Sequence, residues 1–204
     1  MRQLLTSFVA VVLGLSGCHR QPDKLPPLGN AVISQVVARM TDVMVHDVTN
    51  PPLAARFFAY ACLAGYEVVA QHDSTYPSMR GTLNDYPAIE KPADLPRHSP
   101  ELSAVLAMLA TAKKMQPSGT LLQAYEDRLL DSCRTLGFAE ETIDQSKQYA
   151  LAVSKQILAY AKADRYNRIS NYPRYTPTAG GGNWYPTPPG FFAPVEPYFN
   201  TVRP

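Results

Sequence analysis

A chain of 204 residues with 46% hydrophobic residues has enough apolar surface for one core, which excludes disorder throughout and favours one folded domain over two. Its 19 basic and 17 acidic residues leave a formal charge of +2, too balanced for nucleic-acid binding, and no basic run occurs past the first two dozen residues. Nineteen prolines, about twice the usual ~5% share, crowd into residues 22–27 and 173–204, so those stretches are not ordinary helix.

Met1 and Arg2 precede an apolar run from Leu4 to Leu15, broken only by Thr6, Ser7 and Gly14. Roughly a dozen residues fall short of the ~20 that a permanent spanning helix needs, and small residues follow, so residues 1–17 read as a signal peptide. Leu15-Ser16-Gly17-Cys18 resembles the lipobox of bacterial lipoproteins, in which the cysteine thiol receives a diacylglycerol and then becomes the new N-terminus. Two or three acyl chains give an anchor that one chain does not. Cys18 is therefore the expected lipidation site, the membrane the expected partner, and the exported side of the bacterial cell envelope the expected location. Residues 18–29 form a polar, proline-bearing tether, to which His19 and Arg20 belong.

Residues 30–171 read as an all-α domain, a bundle of about five helices with antiparallel neighbours. From Asn30 to Val48 the positions Ile33, Val36, Val37, Met40, Val43 and Met44 recur at three- and four-residue steps, with Asn30 placed to cap the start. Asn50 before Pro51-Pro52 caps a second helix. Apolar residues surround that helix, which places it at the centre. Between Gln71 and His98 the periodicity is lost among prolines, glycine and Asn84-Asp85, marking a long irregular connection of the kind that lies over sites. Ser99-Pro100 opens a third helix, Pro117-Ser118-Gly119 ends it, and a fourth carries Leu121, Leu122, Tyr125, Leu129 and Cys133 to Gly137. A fifth runs from Glu140 toward Ile169. Residues 172–204 are too aromatic for a free linker and read as an extended segment that buries its rings against a surface.

The chemistry-bearing residues are scattered. His19, His46, His72 and His98 include no two at the spacing of one helical turn, so no metal motif is present. His46 and Asp47 are adjacent, which on a helix points them about 100° apart and excludes a relay between them; His46 reads as a partner of the helix dipole, and Asp73 beside His72 is treated alike. Glu67, alone in an apolar helix, is expected to pair with an arginine such as Arg56 rather than act as a base. Cys62 and Cys133 read as small core residues, with a disulfide as the alternative in an exported chain. Pro117-Ser118-Gly119-Thr120 is an interhelical turn, and Gly180-Gly181-Gly182 is no phosphate loop because no strand precedes it.

Residues 41–67, ThrAspValMetValHisAspValThrAsnProProLeuAlaAlaArgPhePheAlaTyrAlaCysLeuAlaGlyTyrGlu, resemble the opening helices of exported vanadium-dependent haloperoxidase-like proteins, of the superfamily that includes type 2 phosphatidic acid phosphatases. Residues 183–199, AsnTrpTyrProThrProProGlyPhePheAlaProValGluProTyrPhe, are similar to the tryptophan-proline segment that leads into that family's catalytic half. The resemblance implies an oxyanion, vanadate or a phosphoryl group, held by a lysine and arginine pair, a serine-glycine-histidine stretch and a final arginine with histidine. Those motifs lie downstream of the tryptophan-proline segment, and this sequence ends at Arg203-Pro204 where they are expected to begin. No catalytic, cofactor-binding or metal-binding residue is therefore carried over, no cofactor is expected in this chain, and vanadate is expected only for a completed protein. The leading expectation is the N-terminal portion of a haloperoxidase-like or phosphatase-like lipoprotein, with a catalytic half or an envelope protein docking on residues 183–204. The alternatives are a stand-alone envelope lipoprotein serving as scaffold or binding module, and an independent enzyme using His46, Asp47 or Glu67.

Overall fold

The computed structural model describes residues 28–203; the expected signal peptide, Cys18 and most of the expected tether lie outside the described residues. Among the described residues five α-helices build the fold: α1 (Ala31–His46), α2 (Pro51–Ala70), α3 (Pro100–Met115), α4 (Gln123–Thr135) and α5 (Glu140–Lys162). No strand occurs among the described residues, only an isolated bridge between Arg80 and Leu83.

α1 buries Val36, Met40, Val43 and Met44, the four-three-one spacing that puts them on one face. Asn30 does not cap it. That residue is itself in the helical conformation without a side-chain bond, and the Val32 N–H is met by the Gly29 carbonyl at 3.0 Å. Asn50 does cap α2, its extended backbone letting Oδ1 accept from the Leu53 N–H at 3.0 Å while Pro51 and Pro52 occupy positions where no amide is needed. Its Nδ2 also donates to Glu196 Oε1 at 2.9 Å, so one side chain starts a helix and holds the C-terminal segment. Replacing Asn50 by alanine is expected to cost about 1–2 kcal/mol, the cap plus one further bond, read as a lower urea midpoint with an unchanged slope.

The central helix is α3, not α2. Every residue of α3 from Leu102 to Ala112 is buried, and α3 packs most extensively on α2 and α5. The physical reason is its small residues: Ser103, Ala104, Ala107, Ala110, Thr111 and Ala112 keep it narrow, so helices close in from all sides. The two hydroxyls this buries are satisfied, Thr111 donating to Ser154 at 2.9 Å and Ser103 meeting His98 at 3.0 Å. Gly65 of α2 completes the approach, since a Cβ there would stand 2.7 Å from Met108 Cγ.

Side-chain pairs give the directions. Tyr60 meets Tyr160 and Gln71 meets Tyr149, so α2 and α5 run antiparallel. Gly65 against Met108 and His72 against His98 make α2 antiparallel to α3 as well. Thr111 with Ser154, and Ser99 with Ser146, show α3 and α5 running the same way.

α5 ends at Lys162 rather than near Ile169. Arg165 adopts φ 70°, a left-handed turn that stops the helix, and the chain resumes as a 3-10 turn over Tyr166–Asn171. Beyond it the chain is irregular, with turns at residues 181–182 and 188–190, up to a last 3-10 turn at Phe199–Thr201. The segment docks its end, where Val202 is buried, but not its middle: Trp184 is 45% and Phe192 82% exposed. The expected burial of these rings is thus met only in part. Cys133 is buried as expected, whereas Cys62 is exposed on the outer face of α2, and both are free thiols.

Candidate functional site

The outer face of α2 carries no helix. α2 is the one described helix long and apolar enough to cross a bilayer, yet its inner face lies against α3 and its outer face floors an open groove of about 820 Å³. Ala55, Ala59 and Cys62 supply a shallow, small-residue floor beside Leu63 and Tyr66. One wall is Met79 and Leu83 from the 71–98 connection; the other is Phe199, Asn200 and Val202 from the C-terminal turn.

A buried carboxylate fixes the first wall, and a second lies at the corner where the other wall docks. Glu67, 1% exposed, does not pair with Arg56 as expected. It accepts from the Ser78 hydroxyl at 3.0 Å and the Met79 N–H at 2.9 Å, which pins the connection beside the groove. The Tyr86 hydroxyl is buried without a hydrogen-bond partner, and burial together with the Glu67 charge pushes its pKa up. On the opposite side Asp164, also 1% exposed, collects Arg56 Nε at 2.6 Å, the Tyr60 hydroxyl at 3.0 Å and the Tyr166 N–H at 2.9 Å. Burial first, then the Asp164 charge, raises the Tyr60 phenol to about 12, so it remains a donor. Arg203 closes this corner. Its N–H donates to the Asp164 carbonyl at 3.2 Å, and its guanidinium lies 3.6 Å from the Tyr160 ring centroid while bonding the Tyr160 carbonyl at 2.8 Å.

The remaining candidates fall elsewhere. His46 and Asp47 do meet at the end of α1, Nδ1 to Oδ1 at 3.1 Å, although Asp47 keeps helical backbone angles. Asp47 Oδ2 accepts from the Ser118 N–H at 3.0 Å, and hydrogen bonding by Ser118 and then His46 holds its carboxyl below the ordinary range. The pair therefore fastens the end of α1 to the α3–α4 turn. His72 and His98, 26 residues apart, come together with Nε2 atoms 3.2 Å apart. Sequence spacing missed them; the available signal was that they bracket the irregular connection, so closing it brings its two ends side by side.

A tetrahedral or trigonal oxyanion such as vanadate or phosphate needs several uncommitted cations converging on one point. The groove lining offers two cations, of which Arg56 is paired with Asp164 and Arg203 alone keeps its charge uncompensated, fewer than that requirement asks. No group of three or more His, Cys, Asp or Glu that could hold a metal ion occurs among the described residues.

Fold and site together define a helical bundle that carries an apolar groove next to an exposed aromatic segment. No family model matches the sequence and no curated protein is similar to it. Among solved structures the chain is similar to a bacterial vanadium-dependent iodoperoxidase, at 32% identity and a TM-score of 0.77, over 89% of this chain and 44% of that one. The chain is thus related to the vanadium-dependent haloperoxidase-like proteins and their phosphatidic acid phosphatase superfamily, and it spans less than half the length of that enzyme.

Proposed function

We propose that this chain is the helical, non-catalytic portion of an exported haloperoxidase-like or phosphatase-like lipoprotein, held to the cell envelope through Cys18. On this reading the groove on α2 and residues 183–204 receive a catalytic half that brings the oxyanion-binding motifs. The observation that carries it is the similarity to the iodoperoxidase, 32% identity over nearly all of this chain but 44% of that protein. Two features support it. The groove is largely apolar and ready to be covered, and the exposed rings of Trp184, Tyr185, Phe191 and Phe192 lie in a stretch, residues 175–195, without a single charged residue. With vanadate the completed protein would oxidise halide with peroxide; without it, phosphate-ester hydrolysis is the corresponding reaction.

The test starts with the DNA beyond the codon for Pro204. A lysine and arginine motif followed by serine-glycine-histidine, in any forward frame or a neighbouring gene, is the expected finding; a stop followed by unrelated genes overturns the reading in favour of a stand-alone envelope lipoprotein. The encoded segment, combined with this chain, is then assayed for vanadate-dependent halide oxidation and for phosphatase activity. Trp184 is the sole tryptophan. Its emission, taken as the difference between the wild type and Trp184→Phe, is expected to shift to shorter wavelength on docking as water leaves the ring. An unchanged spectrum removes residues 183–204 from the interface.

A further inference from the structure

We propose that His72 and His98 form a proton-operated clasp that closes the base of the 71–98 connection at neutral pH and releases it on acidification. His72 follows α2 and His98 precedes α3, so their 3.2 Å Nε2–Nε2 contact joins the two ends of the connection.

The partners of the other ring nitrogens fix what this contact can be. His72 Nδ1 lies 2.7 Å from the Val68 carbonyl, which only accepts, so Nδ1 carries a proton and the neutral ring offers a lone pair at Nε2. His98 Nε2 must then donate to it, leaving His98 Nδ1 to accept from the Ser103 hydroxyl at 3.0 Å. Every group is satisfied with both rings neutral. A first added proton is accommodated by reversing the chain: His72 Nε2 donates, His98 Nε2 accepts, and His98 Nδ1 donates to Ser103 Oγ. A second proton leaves N–H groups and two positive charges facing each other, and the contact becomes repulsive.

The surroundings oppose that second charge. Tyr149 from α5 stacks on His98 at 4.1 Å and 11°, and burial raises its phenol to about 12, so it stays neutral throughout. Lys91 within the connection disfavours a charged His98; Glu101 of α3 favours one, but accepts from the Ser99 hydroxyl at 2.9 Å. Asp73, beside His72, is occupied by Thr75. Burial, then the His72 and Lys91 charges, lower His98 to about 4. An unfolded histidine takes its proton near 6.5, so between these values the unfolded chain binds more protons. The clasp's contribution is whole above about 6.5 and is lost as pH falls toward 4. Since Met79 and Leu83 sit on the connection, release at its base loosens one wall of the groove.

Hydrogen exchange on the full chain in detergent micelles, corrected for intrinsic rates, tests this at about pH 7.5 and about pH 4.5. The Thr82, Leu83 and Tyr86 amides, each bonded within the connection, are expected to lose about tenfold in protection at acid pH while α3 holds. In His98→Gln, which lacks the second charge, the loss is expected to shrink to less than about twofold. Imidazole titration by NMR should place the His98 step near 4, below that of a free imidazole. Equal protection at both pH values, an equal loss in His98→Gln, or a His98 ring titrating at the free value overturns the proposal. Should His98→Gln not fold, His72→Gln substitutes: the His98 titration must then move upward, and an unmoved one overturns the clasp.

Discussion

Replacing Arg56 by alanine is expected to lower stability by about 3–5 kcal/mol, the usual result of removing one partner of a buried ion pair. Its guanidinium holds Asp164 through Nε at 2.6 Å and Nη2 at 3.3 Å and also donates to the Ala161 carbonyl at 3.0 Å. Without it the carboxylate stays inside the protein with the Tyr60 hydroxyl and the Tyr166 N–H as its remaining donors, neither of them charged. For a chain of this length the loss corresponds to a melting temperature lower by roughly 10 °C, measured by far-ultraviolet circular dichroism. Arg203 hangs on the same corner, so its amide and that of Val202 are expected to exchange faster in the variant. Asp164→Asn removes the charge while keeping an acceptor, and combining it with Arg56→Ala is expected to cost less than the two changes summed. A loss below about 1 kcal/mol for Arg56→Ala would place the pair with solvent-screened surface bridges and leave the groove without its anchor.

This anchor also shows where sequence reading stops. The helices were legible because their signals are local: the i, i+3, i+4 recurrence of α1, the Asn50-Pro51-Pro52 start of α2 and the Ser99-Pro100 start of α3 each involve residues within a few positions. The partners of the buried charges are not local. Arg56 finds Asp164 at a separation of 108 residues, and Glu67 finds Ser78 and Met79 only because the connection folds back over α2. The identity of the central helix is hidden for a related reason. Hydrophobicity all round marks α2, but burial depends on which helix is thin enough to be surrounded, and the alanines, serine and threonine of α3 decide that. α2 keeps an apolar face outward instead, and that face became the groove. The resemblance in residues 41–67 lay in α1 and α2, the helices that position this face; the similarity to the iodoperoxidase extends well beyond them.

The Gly119→Ala variant probes a constraint that neither hydropathy nor turn propensity exposes. Gly119 needs no special φ; what it lacks is room. A Cβ there would overlap the Lys113 carbonyl oxygen and stand 2.7 Å from the Lys113 carbonyl carbon, and backbone in the last turn of α3 does not swing aside as a side chain does. The chain after Gly119 forms the 3-10 turn that buries Leu122, and the Ser118 N–H just before it is held by Asp47 at the end of α1. Moving the turn outward to relieve the clash therefore strains three helices at once. The expected cost is about 2–3 kcal/mol, seen as a lower urea midpoint at constant slope. Asp47→Asn, which leaves the space unchanged and weakens only the tie to Ser118, is expected to cost less than half as much. Equal costs for the two would mean that the hydrogen bond, rather than the packing of Gly119 against Lys113, sets the position of the turn.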